Sequence, residues 1–256
     1  MILPAPEFPP LLQGHMFSEG EDLISETMKG AEKGILSAGD LLWSTSTDRA
    51  ECAIVLEPEV IANKALAMVP LAMVAVADSL GAIAPPNLAV TFGWPENIYA
   101  NGAMVGRVNM KFPDYAKADQ VPKFAILSLQ INISESTDQT DQQLMEPGEN
   151  LSSTVLYEEG CGDLDRTQII ESWSRHFLTW IDTWEQEGFK PVHENWLFRA
   201  KDRNEQVSLK VGETTHQGML IGLDEDGGML LKKEEGVALI PLSDFWFYDQ
   251  KTGAGQ

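Results

Sequence analysis

The pattern of apolar and polar residues is most regular over residues 90–107, where it predicts a strand, a turn and a second strand. Two turn signals lie inside this stretch. Pro95 holds Trp94 extended and interrupts strand pairing, while Asn101-Gly102 favours a two-residue hairpin loop with positive φ. Because apolar residues flank both turns, we expect a rigid β-hairpin that is half buried in a sheet.

Three other segments repeat apolar residues at 3- and 4-residue intervals, which predicts helices with one face in the core. Ser18 and Glu21 have the spacing of a capping box before the first helix, and Gly34 follows its end. Asp165 is placed to cap the third helix, and Pro70 is expected to kink or divide the second. The predicted helices run from the capping box to Gly34, over residues 59–80 and over residues 166–187.

Short apolar runs bounded by turn residues predict the remaining strands. They lie at residues 40–43, 52–56 and 124–133, and then at 207–211, 217–223, 228–232, 237–241 and 245–248, while residues 8–13 are expected to be an extended lead-in strand or arm. The second group has the spacing of a small SH3-like β-barrel, so we expect two domains, residues 1–203 and residues 204–256. Residues 134–150 are polar and acidic, which indicates a long surface loop or lid.

Charge and composition narrow the possible partners. The chain has 256 residues with 18 basic against 39 acidic side chains, a formal charge of −21, which argues against nucleic acid or an anionic membrane as partner. The longest apolar run, residues 65–77, is interrupted by Pro70 and too short to cross a bilayer, and the proline-rich start does not have the form of a signal peptide. Cys52 and Cys161 lie far apart without histidines at metal-ligand spacing, so we expect no disulfide framework, no metal site and a cytoplasmic location.

Trp94, Pro95 and Gly106 carry a family resemblance. They match the biotin protein ligase family, part of the biotin/lipoate protein ligase superfamily, whose signature is Lys-Trp-Pro-Asn-Asp, a hairpin and then Lys-x-x-Gly. Ile131-Asn132 resembles the end of the family's Gly-x-Gly-Ile-Asn strand. The resemblance implies an α+β fold in which a mixed sheet packs with helices, as in class II synthetase and biotin ligase cores, followed by the SH3-like barrel.

The same resemblance implies a reaction that uses ATP and Mg²⁺ to adenylate biotin and then transfers the acyl group to a carrier-domain lysine. Several charged positions of the signature differ here: its two lysines fall on Gly93 and Ala103, and its Asn-Asp on Glu96-Asn97. The family's Gly-Arg-Gly-x-x-Gly-Arg loop is replaced by residues 44–49, in which Arg49 is the one cation. Two unit charges 4 Å apart repel by about 4 kcal/mol at an effective dielectric of 20, so adenylation needs cations to bring two anions together.

Two hypotheses of different class follow. The favoured one is a ligase-like protein without adenylation, which holds a small acyl ligand such as biotin or a lipoate-like acid, or docks a partner protein. The alternative is an active biotin or lipoate-type ligase that acts on a biotinyl or lipoyl carrier domain; homodimerisation stays open in both. We assign no catalytic residue and no metal ligand, and we interpret His176 and His193 as structural or surface histidines. The candidate ligand-binding residues are Arg49, Trp94, Pro95, Asn97, Gly106, Arg107 and Asn132.

Overall fold

A computed structural model describes residues 3–17, 22–135 and 153–247 of the chain. The predicted capping box at residues 18–21 and most of the predicted loop at residues 134–150 lie outside these described residues.

The larger of two sheets has seven strands in the order β1-β2-β3-β7-β6-β5-β4. β1 pairs with β2 in parallel and every other neighbouring pair is antiparallel, so the sheet is mixed, as predicted. The first strand is not the lead-in expected at residues 8–13 but begins where that segment ends. The strands are β1 (Gln13–Phe17), β2 (Asp40–Ser44), β3 (Arg49–Leu56), β4 (Val90–Gly93), β5 (Asn97–Ala100), β6 (Ala103–Lys111) and β7 (Ala125–Asn132).

The predicted hairpin is confirmed at the Asn101-Gly102 turn, but the segment has three strands instead of two and forms the meander β4-β5-β6. Asn101 and Gly102 have φ of 48° and 98°, the positive values that a two-residue hairpin turn of this kind requires. The edge of β4 that does not pair with β5 also forms hydrogen bonds. The Phe92 amide donates to the Arg199 carbonyl at 2.9 Å, and the Phe92 carbonyl accepts from the Lys201 amide at 2.9 Å. The hairpin is therefore held on both sides.

Helices cover both faces of this sheet, which confirms the α+β class. α1 packs on one face, and α3 and α4 pack together on the other. Pro70 does divide the second predicted helix: a short α2 ends before it, and Pro70 falls in the first turn of α3, where its missing N–H leaves no hydrogen bond unmade. The helices are α1 (Leu23–Glu32), α2 (Ala62–Ala65), α3 (Met68–Ile83), α4 (Arg166–Glu187) and α5 (Lys190–Phe198).

The start of α4 is the local prediction that the structure reproduces in most detail. The Asp165 carboxylate accepts from the Gln168 amide at 3.0 Å, and the Gln168 side chain accepts from the Asp165 amide at 3.0 Å. This reciprocal pair is a capping box, and Gly188 with φ of 75° ends the helix.

The apolar helical region is longer than the thirteen-residue run read from the sequence. Ala62–Ile83 is long and apolar enough to span a membrane by length and composition; an 18-residue window within it has a mean hydropathy of 1.9, and 78% of that window is buried inside the protein. It is the one such stretch among the described residues. Its burial is what a core helix behind the sheet would show.

The C-terminal region forms a separate four-stranded antiparallel sheet in the order β11-β10-β9-β8. The fifth strand predicted at residues 245–248 is wrong, because Leu242–Trp246 is a short helix, α6. The closed SH3-like barrel is therefore not confirmed, and the domain boundary at residue 203 stays a prediction. The strands are β8 (Gln206–Val211), β9 (Thr214–Leu223), β10 (Met229–Lys233) and β11 (Gly236–Ile240).

Candidate functional site: a polar patch on the seven-stranded sheet

Three central strands place polar side chains side by side on one face of the larger sheet. The register sets Glu51 of β3 opposite Gln130 of β7, and Gln130 opposite Arg107 of β6. Residues two apart on a strand point to the same face, so neighbouring rows extend this patch. They contribute Arg49, Asn132, Ser128 and Asn109.

α1 covers the other half of the same face with apolar contacts. Leu23 and Met28 of α1 belong to one buried cluster with Ala53, Val55 and Ile126 of the sheet. The helix begins beside the polar patch, where the Asp22 carboxylate accepts from the Ser25 amide at 2.9 Å. Between the start of α1 and the strands lies a cavity of about 250 Å³, here called the sheet-face cavity. It is lined by Asp22, Ile24, Glu51, Arg107, Asn109, Ser128, Leu129 and Gln130.

Hydrogen bonds hold several of these side chains in place. The Ser128 hydroxyl donates to the backbone carbonyl of Asn109 at 3.3 Å, and the side-chain amide of Asn109 donates to the Glu96 carboxylate at 2.5 Å. The Arg107 guanidinium reaches the Gln130 side-chain oxygen at 3.5 Å. The floor of the cavity therefore presents both hydrogen-bond donors and hydrogen-bond acceptors.

The Glu51 carboxyl is an acid of the patch whose pKa is raised. Burial raises its pKa above the usual value, and Asp22 and Asp48 add to that rise. Arg49 and Arg107 oppose it by favouring the charged form. The larger effect is desolvation, so the cavity floor is a poor environment for negative charge.

The pKa of Asp22 is shifted in the opposite direction, because neighbouring groups stabilise its ionised carboxylate. The Ser25 side chain lowers the pKa of Asp22, and Lys111 also favours its ionised form. The cations that interact with these two carboxyls are Arg49, Arg107 and Lys111, and further carboxylates nearby are those of Asp48 and Glu96. Of these charged groups, Asp22, Glu51 and Arg107 line the cavity itself.

The connection between β2 and β3 is short and anchored. The Asp48 carbonyl accepts from the amides of Ile133 at 2.7 Å and Ser134 at 3.1 Å, and the Asp48 carboxylate accepts from the buried Ser46 hydroxyl. Arg49 lies beside the same carboxylate, with its Nε 3.8 Å from Asp48 Oδ1. The one cation of this connection is therefore already next to an acid.

The structure brings together four of the seven residues that the sequence singled out. Arg49, Arg107 and Asn132 lie on the polar face, and Asn97 pairs with Arg107 at its edge. Their roles in binding stay predictions.

Trp94, Pro95 and Gly106 are buried elsewhere in the packing. The Trp94 indole donates to the Gly227 carbonyl at 2.9 Å and meets the Phe245 ring edge-on at 6.3 Å, which ties the hairpin to the C-terminal sheet. At Gly106 a Cβ would lie 2.1 Å from the Gln130 carbonyl oxygen. Their structural roles are in packing, and a role in ligand binding is untested.

Sequence reasoning missed Glu51, Asn109 and Asp22 as members of the site. A signal for Glu51 was present, since it is a charged residue between Ala50 and Cys52, directly before the apolar run at residues 52–56. Polar residues at every second position of three strands would have indicated the same face. Asp22 could not be found in this way, because it is the N-cap residue of α1 and does not belong to a strand. Among the described residues, no group of three or more His, Cys, Asp or Glu side chains has an arrangement that could hold a metal ion.

The comparison with known proteins now identifies the family. Residues 8–198 match the model of the biotin/lipoate A/B protein ligase family, so the chain belongs to that family. A biotin protein ligase-like protein of unknown function from Silicibacter sp. TM1040 has a similar structure, with a TM-score of 0.81 and 33% identity, covering 93% of this chain and 98% of that one.

Two relatives with established names are more distant. A biotin--[acetyl-CoA-carboxylase] ligase from Paracoccus denitrificans is 24% identical over 76% of this chain and 78% of its own length. The biotin protein ligase of Aquifex aeolicus, in a complex with biotin and ATP, superposes with a TM-score of 0.69 at 20% identity, over 90% of this chain and 97% of that one. At this identity the likeness concerns the fold.

Proposed function

We propose that this protein is a biotin protein ligase-like binding protein that holds a small acyl ligand, or a partner protein, at the sheet-face cavity and does not adenylate it. The single observation that carries the proposal is the charge around the cavity. The side chains that line it include two carboxylates, those of Asp22 and Glu51, against one cation, Arg107.

Adenylation brings the carboxylate of the acid to the α-phosphate of ATP. Two unit charges at 4 Å repel by about 4 kcal/mol at an effective dielectric of 20, and ATP carries several charges. Enzymes that transfer phosphoryl groups offset such repulsion with Lys, Arg and Mg²⁺, and one placed arginine can contribute about 10³ to 10⁵ in rate. With Arg49 beside Asp48, Arg107 is the cation of the cavity floor that is best placed for this work.

The relatives indicate which ligands to test first. The Aquifex protein was solved with biotin and ATP, and the name of the Paracoccus protein contains acetyl-CoA carboxylase as its target. Biotin is therefore the first acyl group to test, and a carboxylase carrier domain is the first partner. Lipoate follows because the family model also includes lipoate ligases.

The proposal is tested by ATP–pyrophosphate exchange with biotin, lipoate or octanoate. We expect no exchange above background, while binding is detected separately as a thermal shift. A ligand at 100 times its dissociation constant adds about 2.7 kcal/mol of stability, which is easily measured for a chain of this size. Robust exchange with any of the three acids would overturn the loss of adenylation.

An active ligase is the alternative, and the shared face of Arg49 and Arg107 is the observation that favours it. In that case the two guanidinium groups would neutralise the acyl phosphate together. Exchange that is present in the wild type and lost in Arg107→Gln, with unchanged thermal stability, would support this reading.

A further inference from the structure

The donors and acceptors of the sheet-face cavity favour one chemical form of the acyl group. Glu51 and Arg107 occupy one row of the sheet, on either side of Gln130. An ionised carboxylate accepts hydrogen bonds and donates none, whereas a guanidinium donates and accepts none. A ligand that lies along this row therefore meets an acceptor at one end and a donor at the other.

A free acid cannot satisfy both ends. Its carboxylate can accept from Arg107, but it has no proton to give to Glu51, and the two negative charges repel. Asp22 at the N-terminal cap of α1 and Glu96, which accepts from Asn109, add to the same repulsion. Two further cations do not line the cavity: Arg49 lies beside Asp48, and Lys111 interacts with Asp22.

An amide satisfies both ends without a charge. Its carbonyl accepts from Arg107, and its N–H donates to Glu51 or to the side-chain oxygen of Gln130. Placing a neutral polar group in this half-buried site also avoids the desolvation of a second anion. The cavity therefore discriminates by the chemistry of the acyl terminus.

We infer that the sheet-face cavity binds acyl groups in their neutral, amide-linked form, such as an acylated lysine side chain, in preference to the free acid. This inference rests on the proposed function and gives it a substrate class. The protein then recognises the product that an acyl transfer to lysine leaves behind.

The test compares paired probes on the full chain by isothermal titration. The pairs are biotin and biotin methylamide, lipoate and lipoamide, and octanoate and octanamide. For at least one pair we expect the amide to bind at least tenfold more tightly than the acid. Because this measurement uses the wild-type protein, it does not depend on whether a variant folds.

A matched pair of variants locates the effect. Glu51→Gln removes the charge at the cavity floor and keeps the shape, so affinity for the acid should rise about tenfold while affinity for the amide changes by less than threefold. Glu185→Gln makes the same change of charge at an exposed position of α4, on the opposite side of the sheet, and should leave both affinities unchanged.

The outcomes separate the two proposals. An acid that binds as tightly as its amide, or an acid affinity that does not respond to Glu51→Gln, overturns the inference and leaves acyl binding in place. Failure of all six probes to bind at millimolar concentration overturns the proposed acyl-binding function itself.

Discussion

Gly106 offers a sharp test of how the site is built, because the structure gives this residue a packing role. It lies in β6 opposite Ile131 of β7, next to the irregularity in the β5–β6 register. A Cβ added there would be 2.1 Å from the Gln130 carbonyl oxygen and 3.0 Å from the Ile131 Cα. Both contacts are with backbone, so the strands themselves must separate.

The expected destabilisation follows from two contributions. Overpacking a well-packed core is unfavourable by about 1–3 kcal/mol, and spreading the strands weakens one or two ladder hydrogen bonds at about 1 kcal/mol each. We therefore expect Gly106→Ala to lower the free energy of unfolding by about 3 kcal/mol or somewhat more. For a chain of this length, that loss corresponds to a fall in Tm of roughly 6–12 °C.

The assay is thermal unfolding followed by circular dichroism, with Gly81→Ala as the matched control. Gly81 lies in α3 at an exposed position, and a Cβ there meets nothing within 4 Å. The same substitution should leave stability unchanged or raise it by up to about 1 kcal/mol, because alanine is the better helix former. A Tm for Gly106→Ala within 2 °C of the wild type would refute the close strand approach.

Three further predictions follow. Trp94→Phe removes the buried indole donor of the Gly227 carbonyl and should lower stability by about 1–3 kcal/mol in denaturant unfolding. Asp165→Ala removes the carboxylate that accepts from the Gln168 amide at the start of α4, so we expect a loss of about 1 kcal/mol in the same assay. In thermal unfolding measured at several pH values, Glu51→Gln should be more stable than the wild type at pH 8, and this difference in stability should vanish towards pH 4. The sign follows because the folded state raises the pKa of Glu51, so the wild type loses stability as this group ionises.

Each of these has a contradicting result. For Trp94→Phe, the comparison is Trp180→Phe, because the Trp180 indole donates to the half-buried Asp78 carboxylate at 2.9 Å. An equal loss of stability in the two variants would argue against a special contribution of the buried hydrogen bond from Trp94 to Gly227. For Asp165, a stability unchanged by alanine would mean that water replaces the cap. For Glu51, a difference from the wild type that is constant over pH would show that its ionisation is not coupled to folding.

The errors of the sequence reading occur where tertiary contacts outweigh local preference. The aromatic run at residues 245–247 has high strand propensity, yet it ends a short helix whose Trp246 indole donates to the Met110 carbonyl of the larger sheet. α5 is a helix that was not among the predicted elements, and Pro191 occupies its first turn, a position that tolerates proline. Strand propensity could not anticipate the helix at the aromatic run, whereas Pro191 was a local signal for the start of α5.

The sequence alone determined the elements whose signals are local. The Asn101-Gly102 turn and the Asp165 cap of α4 both depend on residues within a few positions, so their geometry follows from backbone and side-chain preferences. The membership of the cavity was decided only by the tertiary structure. Glu51, Arg107 and Gln130 are distant in the chain, and strand register alone places them in one row. Because a shift of register by one residue would turn these side chains to the opposite face, the charge of the site is a property of the assembled sheet.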